Sequence, residues 1–110
     1  MSDIHHYTYR VSWSPEDGEF VGTVAEFPSL SWLSSSQIEA FQGILDMTAG
    51  TVADMQANGE KVPDPIADRH YSGRFVVRVT PEQHRELVLE AAEEKVSLNR
   101  LVSGRVLVGA

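Results

Sequence analysis

The sequence predicts an α+β protein made of two small modules. Three observations lead there. Side chains alternate with period 2 in HHYTYRVSW and again in GRFVVRVTP, the pattern of half-buried strands. Apolar residues recur at spacings of 3 and 4 between Ile38 and Met55, the pattern of an amphipathic helix. Between these regions KVPDPIADRHYSG (61–73) holds prolines, a glycine and mixed charge with no apolar period, so it reads as a connector. The expected organisation is a first module over 1–66, a linker over 67–72 and a second module over 73–110.

In the first module Tyr7, Tyr9, Val11 and Trp13 share one strand face, and Thr8, Arg10 and Ser12 the other. SPEDG marks a turn, with Asp17-Gly18 suited to a positive φ. EFVGTVAEF returns as the second strand of a hairpin, Pro28 ends it, and LSWL (30–33) gives a short third strand. Ser36-x-x-Glu39 has the form of a capping box opening a helix. Ile38, Phe41, Leu45, Thr48, Val52 and Met55 make its apolar stripe. Gly43 and Gly50 each cost that helix about 1 kcal/mol against alanine, so packing on the sheet has to hold it. Asn58-Gly59 stops it. His5-His6 reads as the polar start of the first strand. Trp13 and Trp32 read as core or module-surface residues, and as partner contacts where exposed.

In the second module Arg74, Val76 and Arg78 alternate with Phe75, Val77 and Val79. Thr80 caps the next helix, Pro81 takes its first position and Gln83 completes a T-x-x-Q box. His84, Leu87, Val88, Ala91 and Ala92 share a face of that helix, with His84 read as a packed or boundary residue. A second helix opens at Ser97, with Leu98, Leu101, Val102 and Val106 on its apolar side. A module of about 39 residues seldom folds alone without a disulfide, a metal or a partner. Its one strand also leaves a row of backbone groups needing partners. A second copy running antiparallel about a two-fold axis answers both demands. Phe75, Val77 and Val79 then face the helices, and Arg74, Val76 and Arg78 face away.

Of 110 residues, 42% are hydrophobic and 23% charged, the composition of a folding chain rather than a disordered one. With no cysteine there is no disulfide, thiolate nucleophile or cysteine-based zinc site. His70 and His84 make no ligand set, and no metal or cofactor is expected. No apolar run approaches the roughly 18 residues of a membrane span, and MSDIHHYTYR shows no signal peptide. The expected location is cytoplasmic. The net charge of -7 is unevenly placed: residues 1–66 hold ten acidic side chains against Arg10 and Lys61, and residues 67–110 hold six acidic against seven basic. Such asymmetry suggests two jobs in one chain.

The second module, GRFVVRVTPEQHRELVLEAAEEKVSLNRLVSGRVL, resembles the ribbon–helix–helix DNA-binding family of Arc and MetJ type repressors. The resemblance rests on RFVVRV, on T-P opening the first helix and on S-L-N-R opening the second; the helix–helix turn, where glycine is common, holds Glu94-Lys95-Val96. It implies that the ribbon enters the major groove of operator DNA. Arg74 and Arg78, about 13 Å apart along a strand, would reach guanine O6 and N7, and Val76 a thymine methyl. Ser97, Leu98 and Asn99 would offer backbone N–H groups to a DNA phosphate.

The first module resembles the HicB family of antitoxins. The features are the D-G hairpin, the E-F-P-S-L run, the E-A of the helix start and N-G-E-x-x-P-x-P, across residues 7–65. It departs from the family in having Ser31-Trp32-Leu33 where Pro-Gly-Cys is frequent. The resemblance implies a truncated RNase H-like fold, a HicA-type toxin as partner, and autorepression of the operon by a dimer, with pairing into tetramers left open. The acidic first module suits a small basic toxin. The alternative is a stand-alone repressor with an N-terminal sensing or oligomerising domain. A nuclease would need several carboxylates converging on Mg²⁺; the sequence offers no such set, and no enzyme is expected.

Overall fold

The structure, a computed structural model, describes residues 3–108. The chain divides into two compact units, Met1–Tyr71 and Ser72–Ala110.

The first unit runs through a 3-10 turn (Ile4–His6), strands β1 (Tyr9–Ser14), β2 (Glu19–Val24) and β3 (Ser31–Ser34), helix α1 (Gln37–Ala57) and a second 3-10 turn (Ile66–Asp68). The strands form an antiparallel meander in the order β1-β2-β3. Gly18, at φ +62, closes the β1–β2 hairpin by donating its N–H to the Ser14 carbonyl. The first strand starts later than the alternation suggested. Asp3 accepts the His5 N–H and nucleates the 3-10 turn, so His5 and His6 lie in that turn and not in the strand.

Pairing puts Trp13, Phe20 and Ser34 in one row across the sheet, and Val11, Gly22 and Trp32 in the next. α1 crosses this face. Tyr7, Val24, Phe27, Ile44 and Val52 form the core, with Tyr7 edge-on to Phe27 at 5.4 Å. The inward side of α1 is Ala40, Ile44, Thr48 and Val52. This rotates the expected stripe: Thr48 and Val52 are inside, but Ile38 is 80% exposed and Phe41 43%. The reason is close approach at Gly22, where a Cβ would stand 2.6 Å from the Ala40 carbonyl oxygen. A small residue must face that point, and seating Ala40 there swings Ile38 outward. The buried Thr48 hydroxyl donates to the Ile44 carbonyl and is satisfied.

Ser36 caps α1 by accepting the Glu39 N–H. The reciprocal arm of the box is redirected: the Ser36 N–H goes to Ser34 Oγ, which itself donates to the Glu39 carboxylate. At the other end Glu60 N–H returns to the Met55 carbonyl and Gly59 N–H to that of Gln56, with Gly59 at φ +70. This is the two-bond Schellman closure.

The stretch read as a connector is folded onto this unit as far as Tyr71. Pro65 is fully buried, and the Tyr7 hydroxyl donates to the Pro63 carbonyl at 2.6 Å. Ile66 N–H reaches Glu26, the Arg69 guanidinium donates to the Asp64 carbonyl, and the Tyr71 hydroxyl to that of Ile66. A segment with no ladder of its own meets its backbone demand through side chains.

The second unit holds α2 (Pro81–Glu93) and α3 (Leu98–Val108). Both arms of the Thr80–Gln83 capping box are made. The turn between the helices is again a Schellman closure, Val96 N–H to the Ala91 carbonyl and Lys95 N–H to that of Ala92. Its left-handed residue is Lys95, at φ 57. Glu90 and Arg105 pair across the two helices. Among the described residues of this unit only Ala91 and Leu101 are buried. Residues 74–79 form no regular element within the single chain, in place of the expected strand. His84 is exposed rather than packed, because the α2 surface around it is uncovered. Pro81, His84, Arg85, Val88 and Leu89 line a shallow depression there.

Candidate functional site

The basic stretch before α2 is set by its two ends. Gly73 has φ +80, and the Arg74 N–H donates to Ser72 Oγ at 3.1 Å. At the far end Thr80 fixes the start of α2 two residues after Arg78. Between them Arg74, Phe75, Val76, Val77, Arg78 and Val79 are all exposed, with Val76 at 90%. The ion pairs among the described residues leave Arg74 and Arg78 out. The stretch therefore presents two uncompensated guanidinium groups and four uncovered apolar side chains.

The start of α3 is the second element. Ser97 Oγ accepts the Arg100 N–H at 3.1 Å, and the first backbone bond runs from Leu101 N–H to the Ser97 carbonyl. The N–H groups of Leu98 and Asn99 then have no acceptor within the helix. They stand at its positive end, where an anionic oxygen is favoured. Ser97 and Asn99 are exposed and Leu98 half-buried.

The first unit has a different character. Residues 1–71 hold eleven acidic side chains against Arg10, Lys61 and Arg69. α1 carries Glu39, Asp46 and Asp54 and no lysine or arginine. Trp13 is 53% exposed and Trp32 44%, so both meet the condition for partner contact. His6 lies 2.8 Å from Asp68, and this hydrogen bond and its charge raise the imidazole above its ordinary value.

Sequence reasoning missed Glu26. Its carboxylate is buried and accepts the Thr8 N–H, the Thr8 hydroxyl and the Ile66 N–H at 2.9, 3.2 and 2.9 Å. Burial alone would raise its pKa, but the hydrogen bonds from Ile66 and Thr8 outweigh it and hold the carboxyl below its ordinary value. The signal was parity: Glu26 follows Val24 by two and so continues the inward face. Among the described residues no group of three or more histidines and carboxylates is placed to hold a metal ion, and no helix is long and apolar enough to cross a membrane.

The HicB family model matches residues 57–106. The match spans 50 of the 110 residues and is a likeness to that family. It runs from the end of α1, through residues 58–65 with the N-G-E-x-x-P-x-P run, to Val106 in α3, and so takes in the last part of the first unit and most of the second. It is consistent with an antitoxin role in a toxin–antitoxin pair. No curated protein and no solved structure matches the chain.

Proposed function

We propose that the chain is the antitoxin of a HicA/HicB-type pair. Its first unit binds and neutralises a small basic RNA-cleaving toxin; its second unit dimerises and represses the operon by binding operator DNA. The observation that carries the reading is the state of residues 74–79. Phe75 is 76% exposed, Val77 62% and Val79 45%, in a unit whose described residues include two buried side chains, Ala91 and Leu101. Pairing this stretch with the same stretch of a second copy would cover these side chains, each contributing about 1.5–3 kcal/mol when fully buried. It would also give the backbone groups their ladder.

In that dimer the polar side of the ribbon carries Arg74, Val76 and Arg78 from each copy. A two-stranded ribbon fits the major groove, and arginine reads guanine through O6 and N7. The free N–H groups of Leu98 and Asn99, with the Ser97 cap, then suit a DNA phosphate and fix the register.

The test is binding to DNA from the chain's own promoter. Arg74→Ala or Arg78→Ala should weaken specific binding by about 1–3 kcal/mol per half-site while non-specific binding changes much less. Unchanged specific affinity, or a folded monomer at micromolar concentration in sedimentation, overturns the ribbon.

A further inference from the structure

α1 has two apolar sides, and the fold uses one. Ala40, Ile44, Thr48 and Val52 meet the sheet, and the sequence still supplies Ile38 and Phe41 beside them. Phe41 stands edge-on to Tyr9 of β1 at 5.9 Å, which places it on the β1 flank of the helix. Ile38, three residues earlier, lies on the same flank. Gly43 faces Trp32 of β3 and marks the opposite flank.

The ends of these elements coincide. Ser34 shares a row with Phe20 and Trp13, and α1 is capped two residues later by Ser36. The first turn of α1 therefore starts at the sheet end that carries Trp13. Trp13 is 53% exposed, Ile38 80% and Phe41 43%. Among the described residues β1 has no strand on its outer side, so its outward backbone groups are free to pair.

We infer that this flank, the outer edge of β1 with Trp13, Ile38 and Phe41, is where the first unit grips a basic protein. This inference rests on the antitoxin reading and names the surface that the reading requires. Charge chooses the occupant. Glu16 and Asp17 lie in the hairpin loop just beyond Trp13, and Glu39 lies in the first turn of α1, all exposed. A second copy of this unit would bring acid against acid around the apolar centre, whereas a basic partner is steered to it and held. Exposed aromatic and aliphatic anchors ringed by charge form the usual core and rim of a protein interface.

The probe is the product of the reading frame beside this chain's own, which the antitoxin reading expects to be a small basic protein, titrated against the full-length chain. Ile38→Glu should lower affinity about tenfold or more. Leu33→Glu, on the other face of the sheet, should leave it unchanged. The Arg10–Ser14 amides should exchange more slowly in the complex, a readout independent of any variant. Binding by wild type with no effect of Ile38→Glu and no protection of β1 overturns this surface and leaves the antitoxin reading standing. No binding by wild type overturns both. Should Ile38→Glu instead shrink the assembly formed by the chain alone, the flank is a contact between copies, and the basic partner is rejected.

Discussion

The indole of Trp32 occupies the space in front of Gly43. A Cβ at position 43 would lie 2.1 Å from Trp32 Cδ1 and 2.2 Å from Nε1. A glycine in the middle of a 21-residue helix is thus the condition for seating β3 against it.

Gly43→Ala gains about 1 kcal/mol of helix propensity and displaces the indole. Overpacking of this kind costs about 1–3 kcal/mol, so the net effect should be destabilising. Gly50 is the internal control. Nothing lies within 4 Å of a Cβ placed there, so Gly50→Ala should stabilise by about 1 kcal/mol. Urea melts followed by tryptophan emission measure both, and only Gly43→Ala should also change the emission of the folded state.

Glu26 ties three chain segments together through one carboxylate. Glutamine keeps the shape but has a single acceptor oxygen, so an N–H of Thr8 or Ile66 must face an amide N–H. Glu26→Gln should destabilise the first unit by about 1–3 kcal/mol at neutral pH. The sign of its pH dependence follows from a folded-state pKa below the ordinary value. The contribution is fully present above the unfolded-state pKa and is lost as pH falls through the folded one. The gap between wild type and Glu26→Gln in denaturant melts should hold steady around neutrality and narrow in the acid range. A gap that widens with acid refutes the assignment.

Lys95 holds a left-handed conformation that glycine adopts without strain. Lys95→Gly should therefore stabilise the second unit by about 1 kcal/mol, read as a rise in its melting temperature with no change in helix content.

Much of the fold was legible because local chemistry decided it. The turn glycine Gly18, the Ser36 and Thr80 caps and the Asn58-Gly59 stop were readable from residue type and spacing, since each answers a demand within four or five residues. The side of α1 that meets the sheet was not readable in the same way. Ile38, Phe41 and Leu45 satisfy helical periodicity as well as Ala40 and Ile44 do; Gly22, on another element, decides between them. The role of Glu26 escaped for the same reason, because its partners Thr8 and Ile66 lie far along the chain. Of the candidate site, the alternation of Arg74, Val76 and Arg78 was visible in sequence. The position of Ser97 as the cap of α3 was equally visible, since capping is local.

The fastening of residues 61–71 has a practical consequence for dissecting the chain. A fragment ending at residue 66, where the prolines invite a cut, keeps the Ile66 N–H for Glu26 but removes Asp68 from His6, Arg69 from the Asp64 carbonyl and Tyr71 from the Ile66 carbonyl. A fragment that runs through Tyr71 retains every one of these fastenings, and the truncation site for expressing the first unit alone is the bond between Tyr71 and Ser72.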